Sequence, residues 1–354
     1  MDKITIFRTV SGFLLAAILS FVLSPVAKYI AGKIGAIDVP KDERRMHKKP
    51  IPRLGGLAVF FAFLVTVVIL VPVDFEMQGI LLGAVVIVVL GMIDDAVALT
   101  AKLKFIVQIL AAIIVVLHGT RIDVISNINI FSDKAYLNLG IWSAPITVIW
   151  IVAITNAVNL IDGIDGLSVG VCTIASISLL VIAAIVSEFN IMVVTAAVAG
   201  ACIGFLPYNL NPAKMFVGDT GATFLGFILA TLSIQGMFKT YAILSFAVPF
   251  LILGLPIFDT VFAILRRLMK GQSPMSPDRG HVHHRLIDVG FSQKQTVLIL
   301  YLVSGILGIS AVLLATSGAV RALLFVVTVF IITVVVCYIY RLISIKKKKN
   351  EKNK

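Results

Sequence analysis

Long apolar stretches recur along almost the whole of this chain, and they decide what surrounds it. A helix needs about 20 mostly apolar residues to cross a bilayer, and every backbone polar group in hydrocarbon must find its partner within the structure. Such stretches fall at roughly 9–30, 54–73, 79–95, 104–118, 141–160, 167–186, 190–207, 221–238, 242–265, 296–316 and 322–340. They predict an all-α integral membrane protein of about eleven transmembrane helices, forming one polytopic domain over 1–354 with a basic tail at 341–354. The alternating pattern of a membrane β-barrel is missing. Charged residues make up 14% of the chain, against about 25% in soluble domains. The first stretch is too long for a secretory signal and lacks a small-residue cleavage site, so it is expected to be a retained span.

Lys and Arg in the connecting loops give the orientation, because cytoplasmic loops are enriched in them. One set of loops holds 24 of the 30, concentrated between Lys28 and Arg53, between Arg266 and Lys294, and from Arg341 onward; the opposite set holds 6. The N-terminus is therefore expected outside and the C-terminus in the cytoplasm. The net charge of +12 then belongs mostly to the inner membrane face. There it favours anionic lipid headgroups, at about 1 kcal/mol per cation near the surface, and nucleic acid is not an expected partner. Cys172, Cys202 and Cys337 lie in apolar stretches without paired spacing, which points to packing rather than to disulfides or zinc.

An Asp at the centre of a membrane helix costs about 3 kcal/mol on insertion scales, so the placement of the acids is informative. Asp94 and Asp95 end the third stretch, Asp162 and Asp165 end the fifth, and Asp219 precedes the eighth. All five fall on the inner side. The outer acids Asp74, Glu76, Asp123, Asp133 and Glu188 are scattered without a motif and read as solvated loop charges.

The inner acids sit in short polar motifs. In NAVNLIDGIDGLS, the row Asn156, Asn159, Asp162, Asp165 advances by three and winds about a helix axis, and Gly163 and Gly166 let the helix loosen where it leaves the membrane. Converging carboxylates and amides are one reading; a polar helix terminus is the other. In GMIDDAVALTAKLKF, the adjacent Asp94 and Asp95 point about 100° apart. One can ligate a cation while the other meets substrate or Lys104, or Lys102 and Lys104 simply balance the pair. In NPAKMFVGDTGATFLG, Asp219 suits a hard divalent cation and the helix start suits phosphate, while ordinary capping by Asp219 or Thr220 fits as well.

Two basic motifs complete the set. SPMSPDRGHVHHRL gathers Arg279, His281, His283, His284 and Arg285 in the longest inner loop. Without Cys or a HExxH pattern this favours a diphosphate clamp over zinc, with a solvated loop as the plain alternative. In DERRMHKKPIPRLGG most cations serve as topology signals, but Arg53, beside Gly55 and Gly56, is placed to meet an anion. Asp259, the deepest acid, lies about two turns from Arg266 and has a salt bridge to that residue as one reading. An ion-coupled secondary transporter is the rival class, since coupling acids belong near the membrane midplane.

Through HKKPIPRLGG, GMIDD, NAVNLIDGIDG, FVGDTG and DRGHVHHRL, in that order, the chain resembles the polyprenyl-phosphate N-acetylhexosamine-1-phosphate transferases. HVHH is similar to the branch that uses UDP-GlcNAc, whereas contiguous HHH marks the phospho-MurNAc-pentapeptide transferase, the alternative within the family. The resemblance implies transfer of GlcNAc-1-phosphate from UDP-GlcNAc to undecaprenyl phosphate, with release of UMP, at the cytoplasmic face of a bacterial plasma membrane. It implies magnesium, with manganese as a substitute, held by Asp219 and Asp94. Asp94, Asp95, Asn159 and Asp162 would shape the reacting centre. Asp165 and Phe216 would bind uracil, and His281, His283, His284 and Arg285 the diphosphate. Arg53 and Lys104 would contact substrate, and a homodimer is the implied assembly. A lipid phosphate is already largely ionised near neutrality, its second pKa being about 6, so direct in-line attack needs no strong base and is favoured over a covalent aspartyl intermediate.

Overall fold

The computed structural model describes residues 3–40, 49–126, 136–235, 247–273, 280–316, 323–325, 327–336 and 338–339. Arg279, Cys337 and the basic tail lie outside them. The described residues are overwhelmingly helical: α1 Lys3–Ile34, α2 Gly55–Leu70, α3 Phe75–Val97, α4 Ala101–Leu117, α5 Ser143–Ile161, α6 Leu167–Ile185, α7 Phe189–Asn209, α8 Gly218–Ser233, α9 Ala247–Ile252, α10 Gly254–Met269, α11 Val282–Val289 and α12 Gln293–Thr316. Among them, six helices are long and apolar enough to cross a membrane, namely α1, α3, α5 with the turn before it, α6, α7 and α12. The chain is an all-α membrane protein.

The bundle is organised around α8. Every residue of this helix except Asp219 is buried, as expected of a helix that is apolar all round. It packs against α2, α3 and α5, with Phe224 edge-on to Phe60 of α2 at 5.3 Å. Trp150 of α5 donates its indole N–H to Ser233 at 3.1 Å, and Asn156 donates to Gln108 of α4 at 2.6 Å. Such bonds hold helices together where hydrocarbon offers polar groups no alternative partner.

Away from α8, α1 lies along α7 through small residues. Thr5, Gly12, Ala16, Ser20, Ser24, Ala27 and Ala31 are its buried positions. On α7, a Cβ at Gly200 would lie 2.1 Å from the Phe13 carbonyl oxygen, and one at Gly204 the same distance from that of Ala17. The two backbones touch as in other small-residue seams.

Three features depart from the sequence expectation. The stretch 242–265, read as one span, contains two helices in its described part, meeting at Leu253. Pro256 has no N–H to offer the carbonyl four residues back, so α9 stops and α10 starts with this proline in its first turn. The histidine cluster, read as loop, forms the short helix α11. Finally, two small antiparallel pairs occupy loops: β1 Ile37–Asp38 with β2 Ile51–Pro52, and β3 Val124–Ser126 with β4 Tyr136–Asn138. The first pair folds the segment carrying Arg53 back under the bundle.

Candidate active site

The polar motifs converge on one cavity of about 1000 Å³. Arg53, Asp95, Asn159, Asp162, Asp165, Phe216, Asp219 and His284 line it. Asp94, Lys104, His281, His283 and Arg285 do not, although the first two stand directly behind Asp219. The site lies where the starts of α2 and α8 and the ends of α3 and α5 meet.

Backbone bonds set this junction. Gly55 and Gly56 donate to the carbonyls of Phe216 and Val217 at 3.0 and 2.8 Å, and Phe216 donates to that of Pro52 at 2.8 Å. Gly218 adopts φ +72, and a Cβ there would lie 2.2 Å from the Arg53 carbonyl oxygen and 2.5 Å from Asp95 Oδ2. Only glycine satisfies both conditions. The PRLGG and FVGDTG segments are thus two halves of one structure.

Asp95 supplies the link to α3. Its Oδ1 accepts the Asp219 N–H at 3.0 Å, and its Oδ2 accepts the N–H and hydroxyl of Thr220 at 3.0 and 2.6 Å. The N-terminus of α8, expected to be open to phosphate or capped by its own Asp219 or Thr220, is capped by a carboxylate from another helix. Both oxygens of Asp95 thus position the start of α8, while the residue also lines the cavity. Arg53 completes the joint from below, donating through Nε and Nη2 to the Asp95 carbonyl at 3.1 and 3.0 Å. Carbonyls at a helix C-terminus favour such a cation. The guanidinium has further N–H groups, and its side chain is 29% exposed toward the cavity.

Asp94 faces a different set. Its Oδ1 accepts the Leu99 N–H at 2.6 Å and its Oδ2 accepts Lys104 Nζ at 2.7 Å. The carboxylates of Asp94 and Asp219 come within hydrogen-bonding reach of one another, and Asn159 reaches Asp219. Two like charges in contact favour a cation between them. Among the described residues no trio of His, Cys, Asp or Glu is arranged to hold a metal. One or two carboxylates are nonetheless the usual protein share of a magnesium site, where substrate phosphates and water fill the remaining positions. The residues present fit that ion.

Asp162 follows the end of α5 and accepts a short hydrogen bond from the Ser168 hydroxyl. Burial in the cavity wall, together with the charges of Asp219 and Asp165, pushes its carboxyl up to about 7, against the opposing bond from Ser168. The fold thus binds a proton here more tightly than the unfolded chain between pH 3.8 and about 7. Stability is fully present below that window and is lost as pH rises through it. In chelator, the melting temperature is expected to fall as pH is raised from about 5 to about 8, and Asp162→Asn is expected to flatten the profile. An unchanged slope in the variant would assign the dependence to another group.

The cavity wall opposite is built from residues that pattern reading passed over. Asp165 Oδ2 accepts from Asn211 Nδ2 at 2.9 Å and from the Ala213 N–H at 3.0 Å. Asn211 also donates to Gln293 of α12 at 2.6 Å. Asn209 accepts from the Gly166 N–H and donates to the Met215 carbonyl, each at 3.1 Å. Lys28, Lys49 and Lys214 add cations to the lining. The signal for the asparagines was the NLNP turn just before FVGD; the lysines had none, since loop cations also serve orientation.

The geometry divides the three histidines. His284 lines the cavity. His281 is 6% exposed and sets Nδ1 against Asp259 Oδ2 at 2.7 Å. His283 is 2% exposed, and burial, with His284 and His281 beside it, brings its pKa down to about 3. Of the three histidines, His284 is the one in the cavity lining, and His281 and His283 stand behind it in the wall. Arg285 shares α11 but is absent from the lining. Asp259 pairs with His281 rather than with Arg266.

Fold and site together define an integral membrane protein with a polar, carboxylate-bearing cavity at one end of its bundle. Residues 77–237 match glycosyl transferase family 4. The chain is 40% identical, over 92% of its length and 90% of the relative's, to a probable undecaprenyl-phosphate N-acetylglucosaminyl 1-phosphate transferase of Bacillus subtilis. It is 33% identical to a decaprenyl-phosphate N-acetylglucosaminephosphotransferase of Mycobacterium tuberculosis, covering 84% of this chain and 80% of the relative. With an undecaprenyl-phosphate alpha-N-acetylglucosaminyl 1-phosphate transferase of Thermotoga maritima it shares 32% identity, over 83% of this chain and 88% of the other. The chain belongs to glycosyl transferase family 4, in company with these polyprenyl-phosphate N-acetylglucosamine 1-phosphate transferases.

Proposed function

We propose that this protein transfers GlcNAc-1-phosphate from UDP-GlcNAc to undecaprenyl phosphate, giving undecaprenyl-diphosphate-GlcNAc and UMP, the first step of a cell-wall glycopolymer. The observation that carries the reading is the Asp94–Asp219 carboxylate pair, beside Asn159, at a polar cavity in an apolar bundle. An oxygen of the lipid phosphate attacks the β-phosphorus of the sugar nucleotide. A new P–O bond forms there, and the bond to the bridging oxygen breaks, its electron pair leaving with UMP.

Such a reaction calls chiefly for positioning and charge neutralisation. Magnesium or manganese held by Asp94 and Asp219 would neutralise diphosphate charge. Lys104 holds the Asp94 carboxylate in place through their ion pair at 2.7 Å. Asp165, with one oxygen fixed by Asn211 and Ala213, presents the other to the uracil imide, and Phe216 stacks on the ring. Arg53 and His284 meet the phosphates. Asp162, whose proton is balanced near neutrality, lies beside the reacting groups. The reading puts eleven helices in a bacterial plasma membrane, N-terminus outside and cavity facing the cytoplasm, as the loop charges favour. Ion-coupled transport needs a deep free acid, and Asp259, the deepest, has both oxygens engaged.

The direct test is UMP release by detergent-purified protein given undecaprenyl phosphate and UDP-GlcNAc, with and without magnesium, and with UDP-MurNAc-pentapeptide as competitor. Magnesium-dependent release from UDP-GlcNAc alone is the expected result; release from neither nucleotide by folded protein would overturn the assignment. Phe216→Ala is expected to raise KM for UDP-GlcNAc about tenfold, a lost stacking contact being worth roughly 1–3 kcal/mol. KM for the lipid should stay unmoved.

A further inference from the structure

Asp259 is the buried acid that this chemistry leaves unused. It is 4% exposed, on α10, yet its two oxygens reach the start of another helix. Oδ1 accepts the Val282 N–H at 2.8 Å and Oδ2 meets His281 Nδ1 at 2.7 Å. His281 is the N-cap residue of α11 and makes no side-chain cap bond of its own. With eight residues, α11 is well short of the roughly 12–15 at which an isolated helix becomes even marginal. Its place is set from outside, and a carboxylate is the favourable group at its N-terminus. A second hold comes from the same helix: a Cβ at Gly280 would lie 2.1 Å from Arg266 Cζ, so the turn into α11 rests on that guanidinium.

From His281 the contact continues through stacked rings. His281 and His283 are nearly parallel, 9° apart with centroids at 5.8 Å, and His283 lies 4.3 Å from His284. His283 Nε2 fills the space over Gly163, where a Cβ would approach to 2.2 Å. The row therefore runs from a buried carboxylate on α10 to the imidazole that lines the cavity.

We infer that Asp259 is a positioning residue. It caps α11 and fixes the His281 ring so that His284 is held toward the diphosphate of the sugar nucleotide, and the inference rests on the role given to His284 above. The experiment measures KM for both substrates in the full-length enzyme carrying Asp259→Asn, His284→Ala or both. Asp259→Asn keeps a carbonyl for the Val282 N–H but loses the charge. It is expected to raise KM for UDP-GlcNAc about tenfold, with kcat and KM for undecaprenyl phosphate changed by less than about threefold. In the His284→Ala background the same change is expected to cost less than about twofold, because the path it acts through is gone.

An equal factor in both backgrounds, with KM raised by His284→Ala alone, would overturn the positioning role and leave the diphosphate contact intact. A wild-type KM in His284→Ala would remove that contact and the inference with it. If Asp259→Asn does not fold, His281 serves instead. His281→Asn keeps an N–H near Nδ1 and is expected to hold KM within about threefold of wild type, whereas His281→Ala is expected to reproduce the rise. Equal KM values for the two would overturn the inference.

Discussion

Asp219→Asn is expected to lower kcat for UMP release at least about a thousandfold, the upper range for loss of one preorganised electrostatic group at a reacting centre. The variant should fold. Asparagine keeps the size of the side chain, and the Asp219 N–H that Asp95 accepts belongs to the backbone and is untouched. Removing one of two adjacent carboxylates also relieves repulsion, so without divalent cation the melting temperature should equal or exceed that of wild type. Magnesium should raise the melting temperature of wild type, by the ordinary linkage of a ligand to the native state, and leave that of the variant unmoved. Retained release in a folded variant would remove Asp219 from the reacting centre; lost release with an intact magnesium shift would move the metal elsewhere.

Gly56→Ala is expected to have the largest effect on stability. The added Cβ would lie 2.0 Å from the Gly221 nitrogen and 2.1 Å from its Cα. These are backbone atoms, with no flexible side chain to swing away, so the starts of α2 and α8 would have to part. Overpacking of this kind costs about 3 kcal/mol or more, enough to lower the melting temperature by roughly 5 °C or more. Activity should fall with it, because Arg53 and Asp219 flank the same contact. Gly32→Ala is the control: nothing lies within 4 Å of a Cβ there, and replacing a helical glycine is expected to be neutral or slightly stabilising. Equal melting temperatures for the two variants would contradict the close approach.

What was legible in the sequence was whatever repeats or clusters locally. The apolar stretches gave the helices, and the five polar motifs gave most of the cavity lining, because charges in so apolar a chain stand out. The division of labour inside each motif was not legible. Asp94 and Asp95 are neighbours, yet one faces Lys104 and the other caps α8, and that difference depends on residues far along the chain. Likewise HVHH reads as one cationic cluster, although only His284 meets the cavity. Packing partners decided this, and no local pattern records them. The break at Leu253 was readable from Pro256, and the α1 seam from small residues recurring at intervals of mostly four. Both were overshadowed by hydropathy, which counts apolar residues without asking how large they are.

That seam has a consequence for biosynthesis. The main partner of α1 is α7, which begins at Phe189. At about 5–20 residues per second, roughly 150 intervening residues take on the order of 10–30 s to make. For that time α1 has α2 beside it but lacks α7 along most of its small-residue face, while Val10, Leu14, Ile18 and Val22 stay exposed on its outer side. A face of glycine, alanine and serine is poor at recruiting a wrong neighbour by bulk apolar contact. The same smallness that lets α7 dock so closely therefore keeps that face of the early helix open until α7 has been made.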